Sequence, residues 1–189
     1  PLVRKKLKLF LNKNKKNKII VLDIPLLIEN KLYNKKDILI FVKSNQNRVN
    51  LLTQRIHKIL GSNIKNKKIS FLGVTFKPNT DDMRDSTSLK MIPYLCKKGA
   101  KVNYYDPSGE KSEFRKIKNC YYRNNIKSNC NNADLVILLT EWDEFKSLDF
   151  KKIVKKRNFK VYDLRNLYSA DEMKKNKVNY YSIGRPDII

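Results

Sequence analysis

The amino-acid sequence predicts an α/β protein whose main part, residues 67–189, is a doubly wound parallel sheet. Short apolar runs alternate with segments of helical period throughout this range, which is the pattern of repeated β-α units. One of these runs, residues 135–139, is continuously apolar, as expected for a strand that is buried on both faces of a parallel sheet.

The predicted elements follow one another in regular order. Gly99 follows the first helix as a C-cap, and Asp106 and Pro107 end the second strand. We expect strands at residues 69–74, 101–105, 119–122, 135–139, 159–163 and 178–183. We expect helices at residues 86–98, near 110–117, within 124–133, near 147–157 and near 169–175.

Ahead of the sheet the sequence predicts a helix and an incomplete α/β fragment. Residues 46–60 carry apolar side chains at helical spacing, and Gly61 follows them as a C-cap. The apolar run that begins at Ile19 and the run at residues 37–42 are each typical of a buried strand. Two strands without sheet partners leave unpaired edges, so this fragment carries a risk of aggregation.

The net charge of the chain raises the question of nucleic-acid binding. Lys and Arg number 42 and Asp and Glu number 18, which gives a formal net charge of +24. Lys outnumbers Arg by 33 to 9, however, whereas base recognition favours Arg. The lysines also accompany abundant Asn and Ile, as in chains encoded by AT-rich DNA. We expect no nucleic-acid partner, and we keep a basic nucleic-acid-binding protein as an alternative.

The cysteines and the apolar runs indicate the cellular compartment of the protein. Cys96, Cys120 and Cys130 have neither metal-ligand nor CxxC spacing. No apolar run approaches the roughly 20 residues that cross a bilayer, and the N-terminus has no signal-peptide pattern. We expect a cytoplasmic protein without a metal site and without a membrane partner. Because there is no start Met, we expect Pro1 to be an internal residue of a longer chain.

The clearest candidate site is the polar loop after the first strand of the sheet. Ligands of open α/β sheets bind at the carboxyl ends of the strands. Lys77 is suited to a phosphate or a sugar hydroxyl, and Arg84 lies just before a helix whose first N–H groups favour anions. Asp81 and Asp82 are suited to hold these two cations in place.

One feature of the same loop limits this interpretation, and one alternative to it remains open. Its only glycine is Gly73, so the GxGxxG turn of a dinucleotide site is missing. The alternative is a solvated polar loop in which Asp85 or Ser86 caps the next helix. The spacing of the residues does not decide between the two.

Two further motifs follow predicted strands whose carboxyl ends lie at the same edge of the sheet. Arg165 follows the fifth strand and is suited to bind a phosphate through two nitrogens, with a surface ion pair to Asp163 as the alternative. Trp142 and Phe145 follow the fourth strand, where we expect them to cover the core.

Residues 49–189 resemble the C-terminal, UDP-binding domain of UDP-glucose 6-dehydrogenase and of the related UDP- and GDP-sugar dehydrogenases. The resemblance rests on several motifs in that family's order, spread over most of residues 67–189. They are Gly73-Val74-Thr75-Phe76-Lys77-Pro78-Asn79-Thr80-Asp81-Asp82-Met83-Arg84, Tyr105-Asp106-Pro107, Thr140-Glu141-Trp142-Asp143-Glu144-Phe145, Asp163-Leu164-Arg165-Asn166 and Ser182-Ile183-Gly184-Arg185.

The resemblance implies a Rossmann-like fold and a place in an NAD-dependent enzyme that oxidises the C6 alcohol of UDP-glucose to a carboxylate. It implies that Lys77 and Arg165 contact the UDP-sugar, and that Arg84 reaches toward NAD across a domain interface. It also implies that the helix at residues 49–60 belongs to the connection between two domains and supports a homodimer.

The same resemblance implies that the catalytic residues lie outside this chain. The family's NAD-binding domain is absent here, as is the segment with its catalytic cysteine, lysine and asparagine. No cysteine of this chain takes the place of the catalytic one. We therefore expect the chain by itself to bind UDP weakly and not to oxidise UDP-glucose.

Residues 1–43 resemble a different family, dephospho-CoA kinase, through Pro1-Leu2-Val3, residues 20–29 and residues 38–42. The kinase's phosphate-binding loop, GxxxxGK followed by Ser or Thr, is absent, so ATP binding is not expected. A fragment of this kinase is nonetheless an alternative to the dehydrogenase interpretation.

The charge changes near the point where the two resemblances meet. Residues 1–68 carry 18 basic and 3 acidic residues, a net +15, and residues 69–189 carry 24 and 15, a net +9. We interpret the chain as a fusion of two incomplete fragments that join near residues 44–49. The expected parts are a kinase-like fragment at residues 1–48, a connecting helix at 49–66 and the UDP-binding domain at 67–189.

Overall fold

The structure, a computed structural model, describes residues 9–13, 16 and 48–188. It divides the chain into two compact units, Pro1–Ser44 and Asn45–Ile189. In the first unit, residues 9–13 are helical. The strands predicted from Ile19 and at residues 37–42 lie outside the described residues, as does most of the part that resembles dephospho-CoA kinase.

The second unit contains one six-stranded sheet with helices between its strands. The strands are β1 (Lys68–Leu72), β2 (Lys101–Tyr105), β3 (Cys120–Tyr122), β4 (Leu135–Leu138), β5 (Lys160–Asp163) and β6 (Asn179–Ser182). The helices are α1 (Arg48–Leu60), α2 (Ser88–Lys97), α3 (Ile126–Cys130), α4 (Phe150–Val154) and α5 (Ala170–Lys175), with 3₁₀ turns at Ser112–Phe114 and Asp143–Phe145.

The sheet confirms the predicted fold class. Its strand order is β3-β2-β1-β4-β5-β6, and all five pairings between these strands are parallel. The order reverses between β1 and β4, where Leu72 pairs with Leu138. This reversal is the topological switch point of a Rossmann-like sheet, and it opens a crevice at the carboxyl ends of β1 and β4.

Two predicted helices are shorter than expected. Near residues 110–117 there is only a 3₁₀ turn, Ser112–Phe114, and the Tyr104 hydroxyl accepts the N–H of Lys111, the residue before this turn, at 3.0 Å. The helix near 147–157 ends after Val154, because Lys155 adopts a left-handed conformation with φ of 52°.

The sheet has a separate core on each face. The first core lies on one face of the sheet and includes Ile56 of α1 and Ile92 of α2, and both side chains are fully buried. The second core lies on the opposite face and includes Phe145 and Tyr180. The residues of β4 alternate between the two cores and are all buried, which explains the continuously apolar run in the sequence.

The chain must pass very close to a neighbouring strand end at Gly73. Gly73 has a φ of +77°, and its N–H donates to the Tyr105 carbonyl at 2.9 Å. A Cβ atom added here would lie 2.6 Å from Cβ of Thr140. Glycine is therefore required both for the backbone conformation and for the space between β1 and β4.

We predict that Gly73→Ala lowers the free energy of unfolding by about 3 kcal/mol, since left-handed strain and a steric clash add together. Gly109→Ala is the matched control, because Gly109 has a φ of +92° with no atom within 4 Å of an added Cβ. The control should cost about 1 kcal/mol. Urea unfolding measures both, and equal losses would show that the contact with Thr140 relaxes freely.

Candidate functional site

A cavity of about 320 Å³ opens at the carboxyl edge of the sheet. Four parts of the chain line it: the loop after β1, the residues just before α2, the segment after β4 and the segment after β5. Its lining residues are Thr75, Phe76, Lys77, Ser86, Thr87, Leu139, Glu141 and Arg165. The structure thus brings Lys77 and Arg165, which are 88 positions apart in the sequence, onto one cavity.

Lys77 is the flexible cation of this cavity. Its side chain is exposed, and it forms no ion pair with a carboxylate within the described ranges 9–13 and 48–188. Its ammonium group is therefore available to an anion that enters the cavity.

Arg165 is held more firmly. Its Nε–H donates to the Leu139 carbonyl at 2.8 Å, and an Nη donates to the Phe76 carbonyl at 3.4 Å. Nε also lies 2.8 Å from Oε2 of Glu141. The single Nε–H is directed at the Leu139 carbonyl, so Oε2 of Glu141 accepts no hydrogen bond from it. The contact between Arg165 and Glu141 is therefore an ion pair only. The guanidinium is thus oriented by the protein while about a third of the side chain, 35%, stays exposed.

The surface ion pair to Asp163, which was the alternative for Arg165, is not formed. Asp163 is buried, and its carboxylate accepts the backbone N–H of Arg165 at 2.9 Å, the backbone N–H of Tyr168 at 3.2 Å and the Tyr180 hydroxyl at 2.9 Å. It shapes the turn after β5, and that turn carries the guanidinium toward the cavity.

The backbone of the Lys77 loop is fixed by buried side chains. The Asp106 carboxylate, at the end of β2, accepts the N–H of Val74 at 2.7 Å and of Thr75 at 3.2 Å. The Thr140 hydroxyl, at the end of β4, donates to the Thr75 carbonyl at 2.8 Å. The Thr75 hydroxyl in turn donates to the Lys77 carbonyl at 3.1 Å.

The entry into α2 is tied to the same loop. The hydroxyls of Ser86 and Ser88 each lie 2.6 Å from the Val74 carbonyl and donate to it. Thr87 occupies the N-cap position and makes no side-chain cap bond, but the Ser86 hydroxyl oxygen accepts the N–H of Ser88, the first residue of the helix, at 3.3 Å. Ser86 therefore caps the first turn as one of the two predicted residues, and its hydroxyl also anchors the loop.

Arg84 lies apart from the cavity. It is 88% exposed and is not among the lining residues. Its Nε and Nη2 donate to the two carboxylate oxygens of Asp82 at 3.0 and 2.8 Å. The Arg84 guanidinium, together with the Arg84 backbone N–H, lowers the pKa of Asp82 to about 2. Of the two predicted carboxylate partners, Asp82 therefore holds Arg84.

Sequence reasoning missed the roles of Glu141 and Asp106. Both stand in the motifs at the ends of predicted strands, but their spacing gives no sign that Glu141 pairs with Arg165 and that Asp106 binds the Lys77 loop. The prediction for Phe145 is in accord with the structure, since this side chain is fully buried in the second core.

Comparison with protein families shows which family the chain belongs to. Residues 70–170 match the model of the UDP-glucose/GDP-mannose dehydrogenase family, UDP binding domain. The chain belongs to this family. The match spans more than half of the chain, and it contains the whole cavity with both Lys77 and Arg165.

Curated relatives support the same family. A UDP-glucose 6-dehydrogenase of Rhizobium meliloti is 39% identical over 149 residues, which cover 77% of this chain and 34% of the relative. One of Rickettsia bellii is 32% identical over 167 residues, 87% of this chain and 38% of the relative. Both shares of this chain are larger than the share that residues 49–189 make up, so both aligned regions extend into the residues before Val49. The chain thus spans little more than a third of the length of these relatives.

Solved structures show the same fold. The structure of an NDP-N-acetyl-D-galactosaminuronic acid dehydrogenase from Methanosarcina mazei superposes with a TM-score of 0.60 at 23% identity, covering 79% of this chain and 34% of that one. These relatives and structures include no dephospho-CoA kinase, so that alternative gains no support.

Within residues 9–13, 16 and 48–188, no helix has both the length and the apolar character of a membrane span. No group of three or more His, Cys, Asp or Glu residues in that part of the chain is arranged to hold a metal ion.

We predict that the Asp82 carboxyl titrates at about 2 in an NMR pH titration, against about 3.9 in an unfolded chain. Because the folded pKa is the lower one, the Asp82–Arg84 pair stabilises the loop above about pH 4 and loses this effect as the pH falls toward 2. Arg84→Met should raise the pKa of Asp82 toward 3.9. An unchanged value in that variant would assign the shift to the backbone N–H of residue 84.

Proposed function

We propose that this domain binds the UDP part of a UDP-sugar in the cavity that Lys77 and Arg165 line, and that it is the substrate-binding part of a UDP-glucose 6-dehydrogenase. The observation that carries the proposal is the convergence of the two cations on one cavity of the sheet edge. The family match and the relatives named UDP-glucose 6-dehydrogenase support the choice of ligand.

The two cations suit different tasks at a diphosphate. Arg165 is preorganised by Leu139 and Glu141, so its exposed nitrogens meet phosphate oxygens in a fixed geometry. Lys77 is mobile and adds charge wherever the second phosphate lies. Phe76, which is 49% exposed beside them, offers a flat apolar face to a uracil or sugar ring.

Glu141 gives the cavity a second kind of selectivity. Its Oε2 is buried against Nε of Arg165 and accepts no hydrogen bond from the described residues, so this carboxylate keeps its negative charge beside the guanidinium. The same carboxylate repels a third phosphate placed near Arg165. The cavity therefore favours a diphosphate over a triphosphate.

We propose that NAD, the cofactor of the complete enzyme, binds outside this sheet. The loop after β1 has no GxGxxG turn, and the acid at the end of β2, Asp106, is buried and occupied by the loop. These residues do not fit a dinucleotide. Arg84 is exposed on the far part of the loop, and we propose that it reaches toward NAD held by the other domain of the enzyme.

We propose further that the complete enzyme is a cytoplasmic homodimer in which α1 belongs to the connection between its domains. The chain by itself is proposed to bind UDP without oxidising UDP-glucose, since the cysteine that the resemblance assigns to catalysis has no counterpart here.

We predict that UDP binds weakly to the full chain, and that Lys77→Ala and Arg165→Lys each weaken binding by about 1–3 kcal/mol, the usual contribution of a charge-assisted contact. Lysine in place of Arg165 keeps the charge but cannot hold the Leu139 carbonyl and a phosphate in the same geometry. Isothermal titration calorimetry measures all three proteins.

Lys174→Ala is the control for net charge, because Lys174 lies on α5 and outside the cavity lining. It should bind UDP as the wild type does. Equal heats from wild type and Lys77→Ala would remove Lys77 from the site, and a loss in Lys174→Ala as large as in Lys77→Ala would reduce the effect to overall charge.

We predict weak binding of DNA and RNA in filter assays at physiological salt, because the charge of the sheet domain is carried mainly by dispersed lysines. Binding in the nanomolar range with a steep salt dependence would favour the nucleic-acid alternative instead.

A further inference from the structure

Asp106 is an unusual carboxylate for a sheet edge that binds anions. It is 1% exposed, and it lies at the end of β2, next to the loop that carries Lys77. A buried, unpaired negative charge is strongly unfavourable, so a carboxylate persists there only with enough donors around it. The structure supplies these donors from two sides.

One oxygen of Asp106 faces the loop. Oδ2 accepts the N–H groups of Val74 and Thr75 at 2.7 and 3.2 Å, and the Thr75 hydroxyl lies 3.4 Å away. That hydroxyl donates to the Lys77 carbonyl at 3.1 Å, which is its shorter contact. A chain of contacts therefore runs from Asp106 through Thr75 to the backbone of Lys77.

The other oxygen faces a buried lysine through a serine. Oδ1 accepts the Ser108 N–H at 3.0 Å and also the Ser108 hydroxyl. The Lys111 ammonium donates to that hydroxyl at 2.7 Å, and Lys111 is only 4% exposed. The cation thus balances the buried carboxylate across one hydroxyl.

We propose that Asp106, braced by Ser108 and Lys111, is a positioning residue that sets the Lys77 loop in its phosphate-binding conformation without touching the ligand. This inference rests on the proposed UDP site. Both oxygens face backbone N–H groups, so an amide at this position must turn its NH₂ against a donor on one side. A neutral asparagine consequently loosens the loop while its size is preserved.

The test is a double-mutant cycle on the full chain, with UDP titrated by calorimetry. Asp106→Asn should weaken UDP binding about tenfold, which is the usual effect of losing one hydrogen bond to a charged group. Lys77→Ala combined with Asp106→Asn should bind no worse than Lys77→Ala alone, because Asp106 acts through the Lys77 loop. Additive losses would overturn the proposal, as would wild-type affinity in a folded Asp106→Asn.

Thr75 supplies a second pair of variants in case Asp106→Asn fails to fold. Thr75→Val removes the hydroxyl that reaches the Lys77 carbonyl, and Thr75→Ser keeps it. Weakened binding in the valine variant with recovery in the serine variant supports the chain of contacts. Equal binding in both overturns it.

Ser70→Ala is the matched control for stability. It removes a buried hydrogen bond, from the Ser70 hydroxyl to the Asn129 carbonyl at 2.7 Å, on the same strand that leads into the loop. It should lower the melting temperature and leave UDP affinity unchanged. A parallel loss of affinity would show that Asp106 acts only through overall stability.

Amide hydrogen exchange separates this inference from the proposed function. In Asp106→Asn the amides of Val74 and Thr75 should exchange faster, while that of Val161 in β5 should not change. Wild-type exchange at Val74 and Thr75 would overturn the positioning role even if UDP binds. Faster exchange at these amides with no UDP binding to the wild type would overturn the proposed UDP site, and with it the role of Asp106 in binding.

Discussion

The candidate site depends on how the backbone of Val74 and Thr75 is held at the centre of the sheet edge. Asp106 binds their N–H groups from β2, Thr140 binds the Thr75 carbonyl from β4, and Ser86 and Ser88 bind the Val74 carbonyl from the start of α2. A buried backbone segment outside a strand must have its polar groups satisfied, and here the side chains do so from three directions. The loop that carries Lys77 is consequently an extension of the rigid sheet.

The same arrangement explains why this Rossmann-like domain is suited to a different ligand from the dinucleotide of the fold's best-known members. In those, an acid after β2 binds a ribose and glycines after β1 cradle a pyrophosphate. Here the acid after β2, Asp106, is turned inward, and a lysine-bearing loop replaces the glycine-rich turn. The crevice keeps its place at the switch point, and its charge comes from Lys77 and Arg165.

The two cores keep these strand ends in register. Each residue of β4 is buried on one face or the other, so the strand that carries Thr140 and Glu141 at its end cannot shift without exposing apolar side chains. Gly73 lets β1 and β4 approach closely enough for Thr140 to reach Thr75. Packing in the cores and hydrogen bonding at the edge are therefore parts of one constraint.

The sequence by itself determined the fold class, the six strands and the loops that carry Lys77, Arg84 and Arg165, because apolar runs and their period depend on local spacing. It did not determine that only a 3₁₀ turn, Ser112–Phe114, forms near residues 110–117.

Only the tertiary structure decided that Glu141 pairs with Arg165 and that Asp106 is buried beneath the Lys77 loop. Those contacts join strand ends that are distant in sequence. The spacing of apolar residues along the chain does not show which strands are neighbours in the sheet. The partners of each charged side chain were set by the strand order of the sheet.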